Sequence, residues 1–288
     1  MKRRQELQTR SAFVLTFCAM LLSSSGARAN DRRDFTEEFH QTYSLSSGGT
    51  VELDNINGAV HISVWDQNEV KVDAVKYAGT KERLDEARIE IDSHPEHLSI
   101  RTKYPDHDHT FNWGSRNNPA GVEYTLTVPR GARLDEIKLI NGSLDITGTK
   151  GEVHASCING RLDAHNLSGR ADLSTINGHL DATFDDLSGS SIKLSSVNGS
   201  AALTIPSDSR AEIEASTVSG GIENDFGLHV NRHMVGHDLR GELGNGGSHI
   251  RISNVNGRID IRHASDGRAL SPAKDLGDRE KSDDDSEI

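Results

Sequence analysis

Three stretches decide the fold: Leu139-Ile-Asn-Gly-Ser-Leu-Asp-Ile146, Cys157-Ile-Asn-Gly-Arg-Leu-Asp-Ala164 and Thr175-Ile-Asn-Gly-His-Leu-Asp-Ala182. They are copies of one unit, and four more copies surround them. Asn55-Ile-Asn-Gly-Ala-Val-His-Ile62 comes before. Ser196-Val-Asn-Gly-Ser-Ala-Ala-Leu203, Thr217-Val-Ser-Gly-Gly-Ile-Glu-Asn224 and Asn254-Val-Asn-Gly-Arg-Ile-Asp-Ile261 come after. From Asn141 onward the spacings are 18, 18, 21, 21 and 37. A fixed period of this size marks stacked supersecondary units. The last interval has room for two units, or for one unit with an insertion.

Read by column, the unit predicts strands. The residue before the Asn is β-branched in all seven copies, which suits a buried strand end. Three residues after the Asn every copy is apolar. Pairs such as Val153/Ala155, Ile192/Leu194, Ile213/Ala215 and Ile250/Ile252 alternate with polar residues, the period of a half-buried strand. Asn-Gly between strands usually signals a hairpin. Here the parity opposes one. A two-residue hairpin would put the Ile or Val before Asn on the same face as the residue after Gly, which is mostly polar. A corner between two sheets removes that constraint. The expectation is therefore an all-β chain, a parallel β-solenoid (β-helix-like) with 18–21-residue coils. Second corners are expected at Lys150-Gly151, Ser168-Gly169 and Ser188-Gly189, with Leu167 and Leu187 tucked beneath. Like residues would stack, so Asn57, Asn141, Asn159, Asn177, Asn198 and Asn256 would form a structural ladder of amides. Several coils and covered ends are needed, because each coil buries its apolar face only against its neighbours.

Outward from the repeats the chain divides further. Residues 1–29 read as a secretory signal peptide: bases at Lys2, Arg3, Arg4 and Arg10, an apolar run from Ala12 to Leu22, then small residues to Ala29. The run is about half of the roughly 20 residues that a bilayer span needs. No stable membrane span is expected after cleavage, and the product should be extracytoplasmic, in the periplasm or secreted. Cleavage would remove five bases and one acid, leaving 27 bases against 43 acids, a net −16. Even the uncut chain carries −12, which argues against a nucleic-acid partner. Only Cys157 would remain, so no intrachain disulfide can form, and a buried thiol is expected. Residues 30–44 read as a linker and 45–130 as an N-terminal β-rich capping part. Alternating stretches lie at Val70–Tyr77, Arg88–Asp92, Leu98–Thr102 and Val122–Val128, with a short helix at Thr80–Ala87. Residues 131–263 carry the Asn-Gly repeat solenoid, and 264–288 read as a disordered acidic tail.

The repeated Ile/Val-Asn-Gly-x-Leu/Ile-Asp/Glu unit resembles a bacterial family of β-strand-repeat proteins of unknown function that often carry the label of adhesin. The strand Val122-Glu-Tyr-Thr-Leu-Thr-Val-Pro129 fits, as does Gly241-Glu-Leu-Gly-Asn-Gly-Gly-Ser-His-Ile-Arg-Ile-Ser253. The resemblance spans about residues 45–263. It implies an extracytoplasmic solenoid-like domain and carries no catalytic residue onto these positions.

Two surfaces are candidates. Asp145, Asp163 and Asp181 occupy one column, and stacked about 4.8 Å apart they would repel by roughly 0.9 kcal/mol in water or about 3.5 kcal/mol at an effective dielectric near 20. Solvent, interleaved bases such as Arg161, or a cation must offset that. Calcium suits oxygen ligands, but a solvated acidic face is the expectation, with no cofactor. The long stretch from Tyr104 to Gly121 also holds Phe111 and Trp113, aromatics able to stack on a ligand. His229, His233 and His237, spaced by four, and the run Asp106–His109 have metal-ligand residue types, but the glycine-rich surroundings of the first disfavour a helix, and no metal is expected at either. The Gly-x-Ser-x-Gly, His-Glu-x-x-His and phosphate-loop signatures are missing. The expected function is a non-enzymatic adhesin or cell-envelope binding module, contacting an envelope or surface component, polysaccharide or protein. The alternatives are a carbohydrate-active β-helix enzyme using the three aspartates, and an envelope-stress regulatory component.

Overall fold

The Asn-Gly pairs carry the chain from one sheet to another. In the computed structural model, which describes residues 33–105, 119–187 and 189–276, the described residues form a ten-stranded and a twelve-stranded sheet. Strands that end in the repeat Asn (Thr50–Asn57, Arg133–Asn141, Val153–Asn159, Ala171–Asn177, Ser191–Asn198 and Ser248–Asn256) lie in the twelve-stranded sheet. Their successors, beginning three residues later, lie in the ten-stranded sheet. Neighbouring coils run parallel and in register: Asn141 pairs with Asn159, Asn159 with Asn177 and Asn177 with Asn198. In the other sheet Leu144 pairs with Leu162, and Leu162 with Leu180. The protein is all-β and solenoid-like, and its buried Leu, Ile, Val and Ala columns fill the space between the sheets.

The corners stay hydrogen-bonded, which is why the pair makes no hairpin. Gly160 N–H donates to the Asn177 carbonyl at 2.9 Å, Gly178 N–H to Asn198 at 2.9 Å and Gly199 N–H to Asn256 at 3.0 Å. At the opposite corner Leu167 and Leu187 are buried. The Ser168 N–H there donates to the Thr149 carbonyl at 3.1 Å.

Stack order departs from chain order at both ends. The coil of Thr50–Asn57 lies directly on that of Arg133–Asn141, with Asn57 opposite Asn141. The last coil inserts between two earlier ones: Ser248–Asn256 pairs with Ser191–Asn198 on one side and Ala211–Ser219 on the other. The 37-residue interval therefore holds an insertion. Val230–Arg232 and His237–Leu243 form an antiparallel hairpin, and the second of these strands covers the free edge of Ala211–Ser219.

Three expectations need correction. The residue before the Asn is not a buried strand end. Ile158, Ile176, Val197, Val255 and Val218 are 37%, 44%, 39%, 48% and 55% exposed, and Ile56 and Ile140 are half-buried. The inward position is the one before it. There Cys157 Sγ lies 3.5 Å from the Gly142 carbonyl, Thr217 Oγ1 donates to Gly257 at 3.1 Å and Asn254 Nδ2 to Gly199 at 2.8 Å. A corner carbonyl accepts from Thr217 and Asn254 at that place, while Thr175 and Ser196 are buried there without such a bond, and hydropathy is inverted at the last two strand positions.

Residues 30–44 are not simply a linker. Phe35–Ser44 is an edge strand, antiparallel to Glu69–Ala78. Its polar outer edge hid it, while Phe39 and Tyr43 pack on the core.

Residues 264–276 are not a free tail. Ser207 Oγ and N–H both donate to Asp266, at 2.7 and 3.1 Å, and Ala273–Asp275 pairs with His237–Leu243. Residues 277–288, like residues 1–29, lie outside the described residues.

The alternating stretches of the N-terminal part are strands. Glu69–Ala78 is antiparallel to Gly121–Pro129, which runs parallel to Val60–Trp65. His97–Lys103 runs parallel to Thr50–Asn57 and antiparallel to Arg88–His94. The helix Lys81–Glu86 starts where the Thr80 hydroxyl accepts from Arg83 N–H at 3.3 Å, and Leu84 anchors it.

Candidate functional site

The Asn column is a continuous amide ladder. Asn141 Nδ2 donates to Asn57 Oδ1, Asn159 to Asn141 and Asn177 to Asn159, each at 2.9 Å. Asn198 donates to Asn177 at 3.0 Å, and Asn256 to Asn198 at 3.5 Å. Every inner amide spends one donor and one acceptor on its neighbours, so the column is occupied structurally.

Asp145, Asp163 and Asp181 stack on the outer face of the ten-stranded sheet, directly opposite one another across the ladder. Bases reach over them: Arg161 and His179 stand two positions back on their own strands, whereas Ser143 holds that place before Asp145 and His61 lies in the aspartate column itself on the neighbouring strand. Arg161 bridges two rungs, 3.7 Å from Asp145 and 2.5 Å from Asp163. His61 lies 2.9 Å from Asp145, and His179 lies 3.7 Å from Asp181. Ala202 interrupts the column, and beyond it stands Asp260, held by Arg258 at 3.0 Å and Arg262 at 3.3 Å. Burial pushes the Asp163 carboxyl above its ordinary value. Arg161 opposes that shift, and the neighbouring Asp145 and Asp181 add to it. The face is thus a run of stacked carboxylates flanked by bases. Each pair is partly exposed and of modest strength on its own. Among the described residues no cluster of three or more His, Cys, Asp or Glu side chains is arranged to hold a metal ion.

Tyr104 does not stand free. It is half-buried, its hydroxyl donates to the Ala120 carbonyl at 2.7 Å, and burial pushes its ionisation up to about 12 against a hydrogen bond with Asn57. Phe111, Trp113 and the run Asp106–His109 lie outside the described residues. His229, His233 and His237 fall on and around a hairpin, not a helix. His233 pairs with Asp238, and the His229 N–H donates to Asp275 at 2.8 Å. Cys157 is buried, and burial raises its thiol to about 11.

Sequence reasoning missed two features. One is the exposed Ile/Val column on the outer face of the twelve-stranded sheet; the parity of Cys157, Thr175 and Ser196 could have revealed it. The other is a buried network in the N-terminal part. Thr102 Oγ1 donates to Asn55 Oδ1 at 2.9 Å and lies 2.8 Å from the Tyr124 hydroxyl, while Asn55 Nδ2 donates to the Val122 carbonyl at 2.9 Å. Only the alternation break at Asn55 hints at it.

Fold and columns together define a class, the two-sheet β-repeat proteins whose coils turn at Asn-Gly. Within it, residues 136–262 match the family Toastrack DUF4097. That match shows the resemblance carried by the repeats. No curated protein matches the chain. Among solved structures, one similar chain is a "putative cell adhesion protein" from Clostridium sporogenes, 14% identical, covering 79% of this chain and 100% of its own, with a TM-score of 0.47. A "putative adhesin" from Bacteroides fragilis is 10% identical, with 78% and 96% covered and a TM-score of 0.35. A "putative lipid binding protein" from Parabacteroides distasonis is 9% identical, with 79% and 96% covered and a TM-score of 0.27.

Proposed function

We propose that this chain is a non-enzymatic, extracytoplasmic β-repeat module of the adhesin type. It is a solenoid of 18–21-residue coils, covered at its N-terminal end by residues 45–130. Its carboxylate–base ladder contacts a cell-envelope or surface component, polysaccharide or protein. Export rests on the signal-like residues 1–29, and among the described residues no helix is long and apolar enough to cross a membrane.

One observation carries this: Asp145, Asp163 and Asp181 recur at one column, with Arg161 and His179, two positions back on their strands, beside Asp163 and Asp181, and His61, next in the aspartate column, beside Asp145. A catalytic pair needs two carboxyls in different environments at one place. A contact surface instead meets its ligand rung after rung, and hydroxyl-rich polymers can bond to carboxylate and guanidinium alike. The test is co-sedimentation of the purified protein with isolated envelope fractions and insoluble polysaccharides, with calcium and with chelator. Saturable binding to one fraction is expected, unchanged by chelator. Binding to no fraction overturns the proposal.

A further inference from the structure

The outer face of the twelve-stranded sheet has a relief that repeats from coil to coil. Ile158, Ile176, Val197, Val255 and Val218 form a ridge of exposed apolar side chains, in stack order. Two residues back on the same five strands stand Ser156, Ser174, Ser195, Ser253 and Ser216, a trough of small hydroxyls. Two residues further back the long charged side chains of His154, Asp172, Lys193, Arg251 and Glu214 form a second ridge. The trough and the exposed ridge begin and end on the same coils. In the two coils below, Asp54 and Lys138 replace the serines, and Ile56 and Ile140 are half-buried. Beside the Val218 end the insertion hairpin adds Met234 and Val235, both largely exposed, because Thr217 pairs with His237.

We propose that this face is the interface of a two-fold dimer, and that its occupant is a second copy of this chain. Three observations favour that partner. The first is spacing. Rungs recur about every 4.8 Å, and an extended peptide lying along the stack would repeat at about 6.8 Å for side chains on one face. Another copy matches every rung. The second is shape. A two-fold axis parallel to the stack and centred between ridge and trough seats each Ile or Val over the serine of the equivalent rung in the partner, and the reverse. The small serines allow the sheets to approach. The third is charge. The outer ridge is neutralised within each copy, by Lys193 with Asp172 at 3.0 Å and Arg251 with Glu214 at 2.7 Å. The face therefore offers no net field to a polyanion or polycation. In the dimer that ridge lies over the partner's exposed Asn ladder, whose amides accept or donate to either charge.

The footprint, five rungs by three columns, is about 24 Å by 14 Å. At about 340 Å² per copy this is smaller than a standard stable interface and falls in the weak, transient class, so the dimer is reversible and its population rises with concentration. The contact uses the sheet opposite the carboxylate–base ladder, so envelope binding and dimerisation succeed or fail independently.

The experiment is sedimentation velocity of the protein over a wide concentration series, with Ile176→Lys and Ser195→Lys beside the wild type. Both sites are on the surface, and thermal melts check that the fold is kept. The wild type should move from monomer to dimer as concentration rises, and each variant should weaken the dimer roughly tenfold or more. Register is read by oxidising a mixture of Ser174→Cys and Ile176→Cys proteins. The account predicts a disulfide between the two different variants in preference to either homodimer. A wild type that stays monomeric throughout overturns the proposal. So does a dimer that neither lysine disturbs, or crosslinks that join Ile176→Cys chiefly to itself.

Discussion

Replacing Gly199 by Ala, like a methyl at the neighbouring Asn-Gly corners, should be strongly destabilising. Gly199 sits at an Asn-Gly corner with φ +138°, and a Cβ there would lie 1.7 Å from the Gly178 carbonyl oxygen of the coil beneath. Contacts of this kind do not fall below 3.0 Å, so the corner must open by more than 1 Å. The left-handed backbone alone costs an L-residue roughly 1–2 kcal/mol. Opening the corner breaks the Gly199 N–H bond to Asn256 and stretches the amide bond from Asn198 to Asn177, both 3.0 Å, at about 1 kcal/mol each. The expected loss is about 3–4 kcal/mol, among the larger single-residue effects. Urea melts should show a lower midpoint with an unchanged slope. For a domain of this size the melting temperature should fall by about 6–16 °C. Gly221 is the control. A Cβ there meets nothing within 4 Å, so Gly221→Ala should be neutral or stabilise by up to about 1 kcal/mol through the unfolded chain. A Gly199→Ala protein within about 0.5 kcal/mol of wild type, or equal damage from both variants, would refute the stacked-corner argument.

Thr102→Val strips Asn55 Oδ1 and the Tyr124 hydroxyl of a partner while all three residues are buried. It should cost about 2–3 kcal/mol, and urea unfolding that shows no loss would count against the network. Cys157, raised to about 11 by burial, should resist thiol reagents at pH 8 and react only on denaturation; peptide mapping that finds it labelled equally fast in the native protein contradicts this. Asp266 is held down to about 2, chiefly by the Ser207 hydroxyl and then by the N–H groups of Arg268 and Ser207. A carboxyl lowered in the folded state stabilises above its unfolded value near 4, and that support fades as pH falls toward about 2. Proteolysis within residues 264–276 should therefore accelerate across that window. Asp266→Asn should be cleaved faster at neutral pH and lose the pH dependence; an unchanged profile would exclude the carboxyl as the clasp.

The architecture was legible because Asn-Gly combines two signals whose parities conflict. Ile158 and Arg161 cannot share a buried face in a hairpin, and the conflict vanishes when the chain changes sheets between them. The face of the Ile/Val column is not legible from hydropathy for a related reason. At a corner the inward side chain lies under a glycine carbonyl, so Thr217 and Asn254 point in while Val218 and Val255 point out. Hydropathy alone gives the opposite answer there. The place of the last coil was not legible. Asn254-Val-Asn-Gly257 is indistinguishable in sequence from its neighbours, and only the hairpin strand His237–Leu243, by taking one edge of Ala211–Ser219, leaves the other edge for Ser248–Asn256. The aspartate column was visible as a column. Its bases were only partly so, because Arg161 reaches two rungs through a long side chain whose direction no spacing rule specifies.

The most direct test of the functional claim is the triple variant Asp145→Asn, Asp163→Asn, Asp181→Asn, compared with wild type on whichever envelope or polysaccharide fraction the wild type sediments with. Bound protein and soluble sugar released would be measured in the same tubes. The account predicts that the variant keeps its melting behaviour and binds more weakly, and that neither protein releases sugar. Release by the wild type that the variant abolishes would contradict it and make these aspartates catalytic.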